Sequence, residues 1–209
     1  RRRAVHGRRR GRGRMPAIVP AGAVSLRGQA ATAFVYGYWD GVRAAGYEWA
    51  YRRGVSAGFV PTNGGQLCVF AGGPPARIGR GGRRVLDEVL AEAAPELTAR
   101  LAAGTHRGVL RTHPGRPGHL RRAWGPGWAL VGDAGSWKDP ISAHGLTDAL
   151  RDAELLARAV VATLRDGSAD ALASYEVVRD RLTAPLLTLS DELAACGGAT
   201  PASWVWYAG

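Results

Sequence analysis

Lysine is almost missing from this chain: Lys138 is the one lysine in 209 residues, although lysine and arginine together number 28. With abundant alanine, glycine and proline, that skew looks like GC-rich codon usage, which favours arginine whether or not a phosphate is nearby. Cysteine is nearly as scarce. Cys68 and Cys196 are too few and too far apart for a metal framework, and nothing asks for an oxidising compartment. No metal is expected. Long apolar runs are absent too. The longest, Ala153 to Leu164, is broken by Glu154 and Arg158, short of the roughly 18 apolar residues a membrane helix needs. The basic N-terminus has no apolar segment behind it, so no secretory signal is expected. A cytoplasmic protein without a membrane span is the expectation.

The formal charge of +11 invites a nucleic-acid reading. Residues 1–14, however, hold eight arginines and no acid, and the remainder carries 20 basic against 17 acidic residues, a net of +3. The charge belongs to a tail. Binding of nucleic acid through that tail, which would depend steeply on salt, is therefore the least favoured partner reading. The body, 46% hydrophobic and 22% charged, is an ordinary globular composition able to bury a core without disulfides.

Residues 1–29 carry Arg, Gly and Pro without periodicity and read as a poorly ordered tail. From Ala31 to Gly72 short segments alternate and are punctuated by glycine. Strands are predicted at Thr32–Trp39, Tyr47–Tyr51, Val55–Pro61 and Gln66–Ala71, with Thr62-Asn63-Gly64-Gly65 as a hairpin turn. That spacing argues for an antiparallel meander. Its aromatics more often pack a core than face a ligand, but Trp39, Trp49 and Tyr51 could line a pocket. Arg83 to Ala94 reads as a helix with Val85, Leu86, Val89, Leu90 and Ala93 on one stripe, and Pro95 starts a shorter helix through Leu101. A loop-rich stretch follows, with short strands at Gly108–Thr112 and His119–Trp124. Here His106, Arg107, Arg111 and His113 read as solvated loop residues ahead of a basic substrate site. Trp128 to Val131 reads as a strand. Two long helices close the chain. One runs from about Gly145 to Arg165, with Leu146, Leu150, Ala153, Leu156, Ala157, Val160 and Leu164 on one face. The other starts near Ala169, with a kink expected at Pro185. The organisation is thus a tail (1–29), a β-rich part with a helix (30–125) and a strand with two long helices (126–209).

Residues 127–149 carry the chemistry. They combine a short apolar strand, Gly132-Asp133, a loop bounded by Pro140, and a helix opening at Gly145. An acid at a strand end can accept hydrogen bonds from sugar-like hydroxyls. A helix N-terminus offers free N–H groups to an anion, and Gly145 lets the backbone approach a ligand. The bland alternative is a strand-to-helix connection with Asp133 as a turn or cap residue. His144 is a candidate acid–base or substrate contact, against a role in packing or hydrogen bonding. Lys138 and Asp139 read as a loop ion pair or a solvated pair ahead of a catalytic lysine.

In its order, the segment resembles the second flavin-binding motif of FAD-dependent monooxygenases and geranylgeranyl-reductase-like oxidoreductases, the aromatic hydroxylase fold. In that family Gly-Asp ends a strand and Pro-x-x-x-x-Gly opens a long helix. Here those positions are Gly132, Asp133, Pro140 and Gly145, and the helix carries Asp152-Ala153. His144 and Trp137 depart from the usual residues. The resemblance covers roughly residues 30–195. It implies an α+β fold: an antiparallel substrate-domain sheet followed by the C-terminal strand and long helices of an FAD-binding domain. It implies FAD as cofactor, NAD(P)H as reductant and a small organic substrate; no partner protein is evident. It also implies that Asp133 faces the ribityl chain or pyrophosphate, with backbone N–H groups of Gly145, Leu146 and Thr147 toward the pyrophosphate and pyrimidine edge. The family's glycine-rich unit for the ADP half, a βαβ with Gly-x-Gly-x-x-Gly, is not in this sequence, nor is its later Asp-Gly motif. The expectation is the C-terminal part of a flavoenzyme, binding FAD weakly or not at all alone.

Overall fold

In a computed structural model the described residues are 22–195, together with the backbone of a further strand at 204–208. The arginine-rich residues 1–21 and Cys196 lie outside them. In chain order the strands β1 (Val24–Arg27), β2 (Ala33–Asp40), β3 (Tyr47–Arg52), β4 (Val55–Pro61) and β5 (Leu67–Gly73) come first. Helices α1 (Pro75–Ile78), α2 (Arg83–Ala93) and α3 (Pro95–Leu101) follow. Then come β6 (Thr105–His113), β7 (His119–Arg121), β8 (Trp124–Gly125), β9 (Trp128–Ala129) and β10 (Ser136–Trp137). The long helices α4 (Gly145–Asp166) and α5 (Asp170–Ala195) precede β11 (Trp204–Ala208). The chain is α+β, with antiparallel sheets and two long C-terminal helices.

The main sheet has six strands in the order β11-β3-β4-β5-β2-β6, every pair antiparallel. The β3-β4-β5 meander is as the turn residues predict. The expected continuation is not: β2 lies between β5 and β6 instead of beside β3. β2 buries Ala33, Val35 and Trp39 on one side and carries Phe34 and Tyr36 on the other, so an interior position with two ladders suits it better than an edge. The short strand expected at Gly108–Thr112 is longer: the nine-residue β6 takes in His106 and His113, which read as loop, and pairs to β2 with an irregularity between Tyr36 and Tyr38.

Because strand side chains alternate faces, the sheet has two surfaces of different character. Ala33, Val35, Ala57, Phe59, Val69 and Ala71 face α2 and α3 and form the main core. Helix α2 contributes Leu86, Val89, Leu90 and Ala93, spaced to one stripe, and Pro95 suits the first turn of α3, where its missing N–H has no helical partner. Full burial of a side chain such as Phe59 contributes roughly 1.5–3 kcal/mol. Glu48 also faces this core. Its wholly buried carboxylate pairs with Arg100 at 2.6 and 2.8 Å and accepts the Ala45 N–H at 3.0 Å.

A second layer ties the helices to the small sheet β1-β7-β10. The Tyr175 hydroxyl donates to the Leu130 carbonyl at 2.7 Å, and the buried Arg179 donates to the Arg121 carbonyl at 2.5 Å. Asp191 of α5 accepts the backbone N–H groups of Gln29 and Ala30 at 2.8 and 2.9 Å. Residues 24–27, inside the segment expected to be poorly ordered, form β1 against β7. Four residues have too little periodicity to announce a strand whose partner lies almost a hundred positions away. Likewise the strand expected over Trp128–Val131 is only the two-residue β9, hairpinned to β8, with the Leu130 N–H donating to the Ala123 carbonyl at 2.7 Å one step further along the same register. Helix α5 continues through Pro185.

The apolar stripe of α4 is not the face this helix buries. Leu146, Leu150 and Leu164 are 76%, 66% and 79% exposed, while Asp148, Asp152 and Ala159 are buried. The inner face is ionic over the first turns, and farther along Leu155, Leu156 and Ala159 pack with Leu172 and Tyr175. Lys138, expected to pair with Asp139 or face solvent, is buried and reaches Asp148 at 2.8 Å, and Arg151 joins Asp148 to Asp152 at 2.8 and 2.7 Å and bonds the Thr183 hydroxyl at 3.0 Å. These pairs fix the first turns of α4 to the strand that precedes it.

Candidate functional site

The turn after β9 puts Gly132 at φ 57, where a Cβ would lie 2.9 Å from that of Ala149. Glycine is thus needed both for the left-handed backbone and for the close approach of α4. Asp133 follows in the same 3-10 turn, exposed and with no hydrogen bond or ion pair to any described residue. It is not acting as a cap. That role falls to the buried Asp139, which accepts the N–H of Ile141 at 2.9 Å and of Thr32 at 2.6 Å and so anchors the 139–143 loop to the start of β2. Burial raises the Asp139 carboxyl above its ordinary value, the two backbone hydrogen bonds opposing the rise.

The loop ends at Ala143, the one described non-glycine residue with positive φ, at 54°. Helix α4 then begins. Its first intrahelical bond runs from Asp148 to His144, and His144 supplies no side-chain cap. The N–H groups of Gly145, Leu146 and Thr147 therefore have no protein partner among the described residues. The space before them is open: a Cβ on Gly145 would meet only the Asp133 carboxylate, at 4.0 Å. A free carboxylate, three unpaired N–H groups and an unobstructed glycine thus converge, the donors and acceptor a polyol joined to a phosphate requires. These residues fit the ribityl–pyrophosphate part of FAD. The strain at Ala143 is separable from that fit. Ala143→Gly should raise stability by about 0.5–1 kcal/mol, read by urea denaturation; lower stability would mean the methyl makes contacts worth more than the strain.

The other surface of the sheet supplies the second half of the site. Beneath the 139–143 loop lies a cavity of about 250 Å³. Phe34, Tyr36, Trp49, Tyr51 and Phe70 line its sheet side, and Pro140, Ile141 and Ala143 its loop side. Tyr51 closes one corner by donating to the Ile141 carbonyl at 3.2 Å. His113 reaches the cavity from β6, its ring 5.7 Å from Trp137, on which Arg116 stacks at 3.9 Å. Burial lowers the His113 pKa below its ordinary value, Asp139 opposing and Arg116 assisting. Cys68 also lines the cavity, and burial pushes its thiol pKa up, which disfavours the nucleophilic thiolate.

Of the residues expected at a pocket, Trp49 and Tyr51 are there. Trp39 is not. It points into the core on the opposite face, its ring 4.6 Å from that of His106 and tilted 48° to it. Its parity decides this: Trp39 shares a face with Val35, not with Tyr36. Pro140 lines the cavity; Gly132, Asp133, Gly145, Leu146 and Thr147 gather beside it at the start of α4; His144 is exposed and outside the lining. His113, read from the sequence as a solvated loop residue ahead of a basic substrate site, is in the lining. Phe34, Tyr36, Phe70 and Ser56 carry no local signal of their own, although the alternation in β2 and the Trp49–Gly58–Phe70 register would put most of them on one surface.

No family model and no curated protein matches the sequence. Solved structures do. The myxobacterial chondrochloren halogenase CndH, described as a variant of FAD-dependent halogenases, superposes with a TM-score of 0.66 at 21% identity over 79% of this chain and 42% of that one. HpxO of Klebsiella pneumoniae, solved with FAD and uric acid, gives 0.64 at 20% over 84% and 47%. PqsL of Pseudomonas aeruginosa, solved with 2-aminobenzoylacetate, gives 0.60 at 22% over 83% and 50%. The chain is thus similar in fold to part of FAD-dependent monooxygenases and halogenases, and spans about half their length or less. Among the described residues no helix is long and apolar enough to cross a membrane.

Proposed function

We propose that the chain is the substrate-facing and flavin-facing part of an FAD-dependent oxidoreductase of monooxygenase type. What carries the reading is the junction of two features: the free N–H groups at the start of α4, with unpaired Asp133 before them, begin two residues after Ala143, which lines an aromatic cavity. Residues 30–125 would form the substrate lobe and 126–209 the flavin lobe, joined by the β7–β10 pair. Asp133 would accept the ribityl hydroxyls, and the N–H groups of Gly145, Leu146 and Thr147 would face the pyrophosphate and the pyrimidine edge. FAD, when bound, supplies the redox chemistry, with NAD(P)H as reductant and O₂ or a substrate double bond as electron acceptor. The chain's own residues orient cofactor and substrate, and the 139–143 loop keeps water from the cavity.

Nothing in the 209 residues is a Gly-x-Gly-x-x-Gly turn after a strand, the usual grip on the ADP half. That favours, as a second reading, a chain that keeps this fold without holding flavin or catalysing a reaction. Titration with FAD and with FMN, followed by flavin fluorescence, separates the two. The first reading expects both to bind, with affinities within about threefold of each other, because the contacts end at the phosphate. No binding of either at about 1 mM leaves only the second reading.

A further inference from the structure

Three polar atoms in the lining of the aromatic cavity are buried and have no partner: Trp49 Nε1, Ser56 Oγ and His113 Nε2. Buried polar groups almost always find a hydrogen bond, so three unpaired ones around one cavity mark what its occupant must supply. Ser56 is itself buried, and its position is fixed. It stands opposite Tyr51 on one side and Gly72 on the other, where any side chain would collide with the Phe34 ring and the Ser56 hydroxyl. Trp49 stands opposite Gly58, where an added Cβ would meet its ring and that of Phe70 at 2.7 Å. The glycines thus let the aromatic rings close over a flat floor.

No charged side chain lines this space. Arg111, across from Tyr36 in the register, is exposed and outside the lining. Burial of His113 favours its uncharged imidazole. An ionised carboxylate placed here would lose its hydration without gaining a cation, whereas a hydroxyl or carbonyl could pair with the indole N–H and the serine.

We infer that the cavity binds an uncharged, planar aromatic molecule and recognises a polar substituent on it through Trp49, Ser56 and His113. As the substrate class of the proposed oxidoreductase this rests on the flavin reading, but the binding step needs no flavin and is tested without it.

The test titrates the full chain, without flavin, with 2-naphthol, 2-naphthoate and 2-methylnaphthalene by ligand-observed NMR. The expected order is 2-naphthol first, tighter than 2-methylnaphthalene by about fivefold and than 2-naphthoate by at least about tenfold. Trp49→Phe, Ser56→Ala and His113→Phe should each reduce the roughly fivefold preference for 2-naphthol over 2-methylnaphthalene by about two- to fourfold. Unchanged affinity for 2-methylnaphthalene shows in the same samples that the cavity is intact. Naphthoate binding as tightly as naphthol, variants that leave the preference untouched, or no binding of any of the three would each overturn the inference. Naphthol binding without flavin binding would remove the oxidoreductase reading and leave the cavity's specificity standing. The converse would remove only the specificity.

Discussion

Gly145→Ala should weaken flavin binding by at least about tenfold while changing the stability of the chain by less than about 1 kcal/mol. The two effects separate because of what lies in front of the residue. A methyl group there would touch no described atom except the Asp133 carboxylate, at 4.0 Å, and alanine suits a helix start as well as glycine does. Only a ligand drawn close to the N–H groups of residues 145–147 would feel it. Asp133→Asn is the companion variant. It keeps the side chain's shape, removes its charge, and breaks no bond to a described residue, so a loss of affinity of roughly tenfold would report hydrogen bonds to the ligand alone. Flavin fluorescence titration and urea denaturation on the same preparations give both numbers. Wild-type affinity in Gly145→Ala would mean that no ligand approaches the start of α4.

Arg100→Met should cost about 3 kcal/mol at pH 7, close to the lower end for breaking a buried pair because the guanidinium is a third exposed. The variant keeps most of the side chain's length and leaves Glu48 charged and enclosed. In the wild type the Arg100 hydrogen bonds hold the Glu48 carboxyl below its ordinary value of 4.5, with burial opposing and the Ala45 N–H assisting. A depressed carboxyl stabilises the folded state above its unfolded pKa, and that stability disappears as pH falls through the folded pKa. The difference between wild type and Arg100→Met should therefore shrink below about pH 4.5. Glu48→Gln combined with Arg100→Met should recover part of the loss at pH 7. Urea denaturation from pH 3 to 7 checks both; a difference independent of pH would mean that Arg100 stabilises through packing on Phe59 rather than through the pair.

Local chemistry was legible where it acts over a few residues. The Asn63-Gly64-Gly65 turn, the Leu86–Ala93 stripe and the Gly132 turn appear where propensity and spacing put them. The order of segment 127–149 located the carboxylate and the helix start that the structure brings together. What escaped depends on distant partners. Whether Trp39 or Tyr36 faces the cavity follows from which side of β2 meets α2, and no window within β2 contains that information. The pairing of β2 with β5 and β6 is settled by burial on both faces of the strand. Helix α4 was misleading because amphipathic periodicity marks an apolar side but not what covers it. Its buried side is held by Lys138, Asp148, Arg151 and Asp152, residues that composition alone assigns to solvent.

The grip of Asp191 on Gln29 and Ala30 also has a temporal side. The two ends of that contact are up to 162 residues apart, and β1 waits on β7 in the same way. At ordinary elongation rates the ribosome takes roughly 8–30 s to travel from Gln29 to Asp191. During that interval β3, β4 and β5 can pair among themselves, while the segment leading into β2 waits first for β7, then for Asp139 and last for Asp191. The first-made part of the described chain is therefore among the last to be fastened.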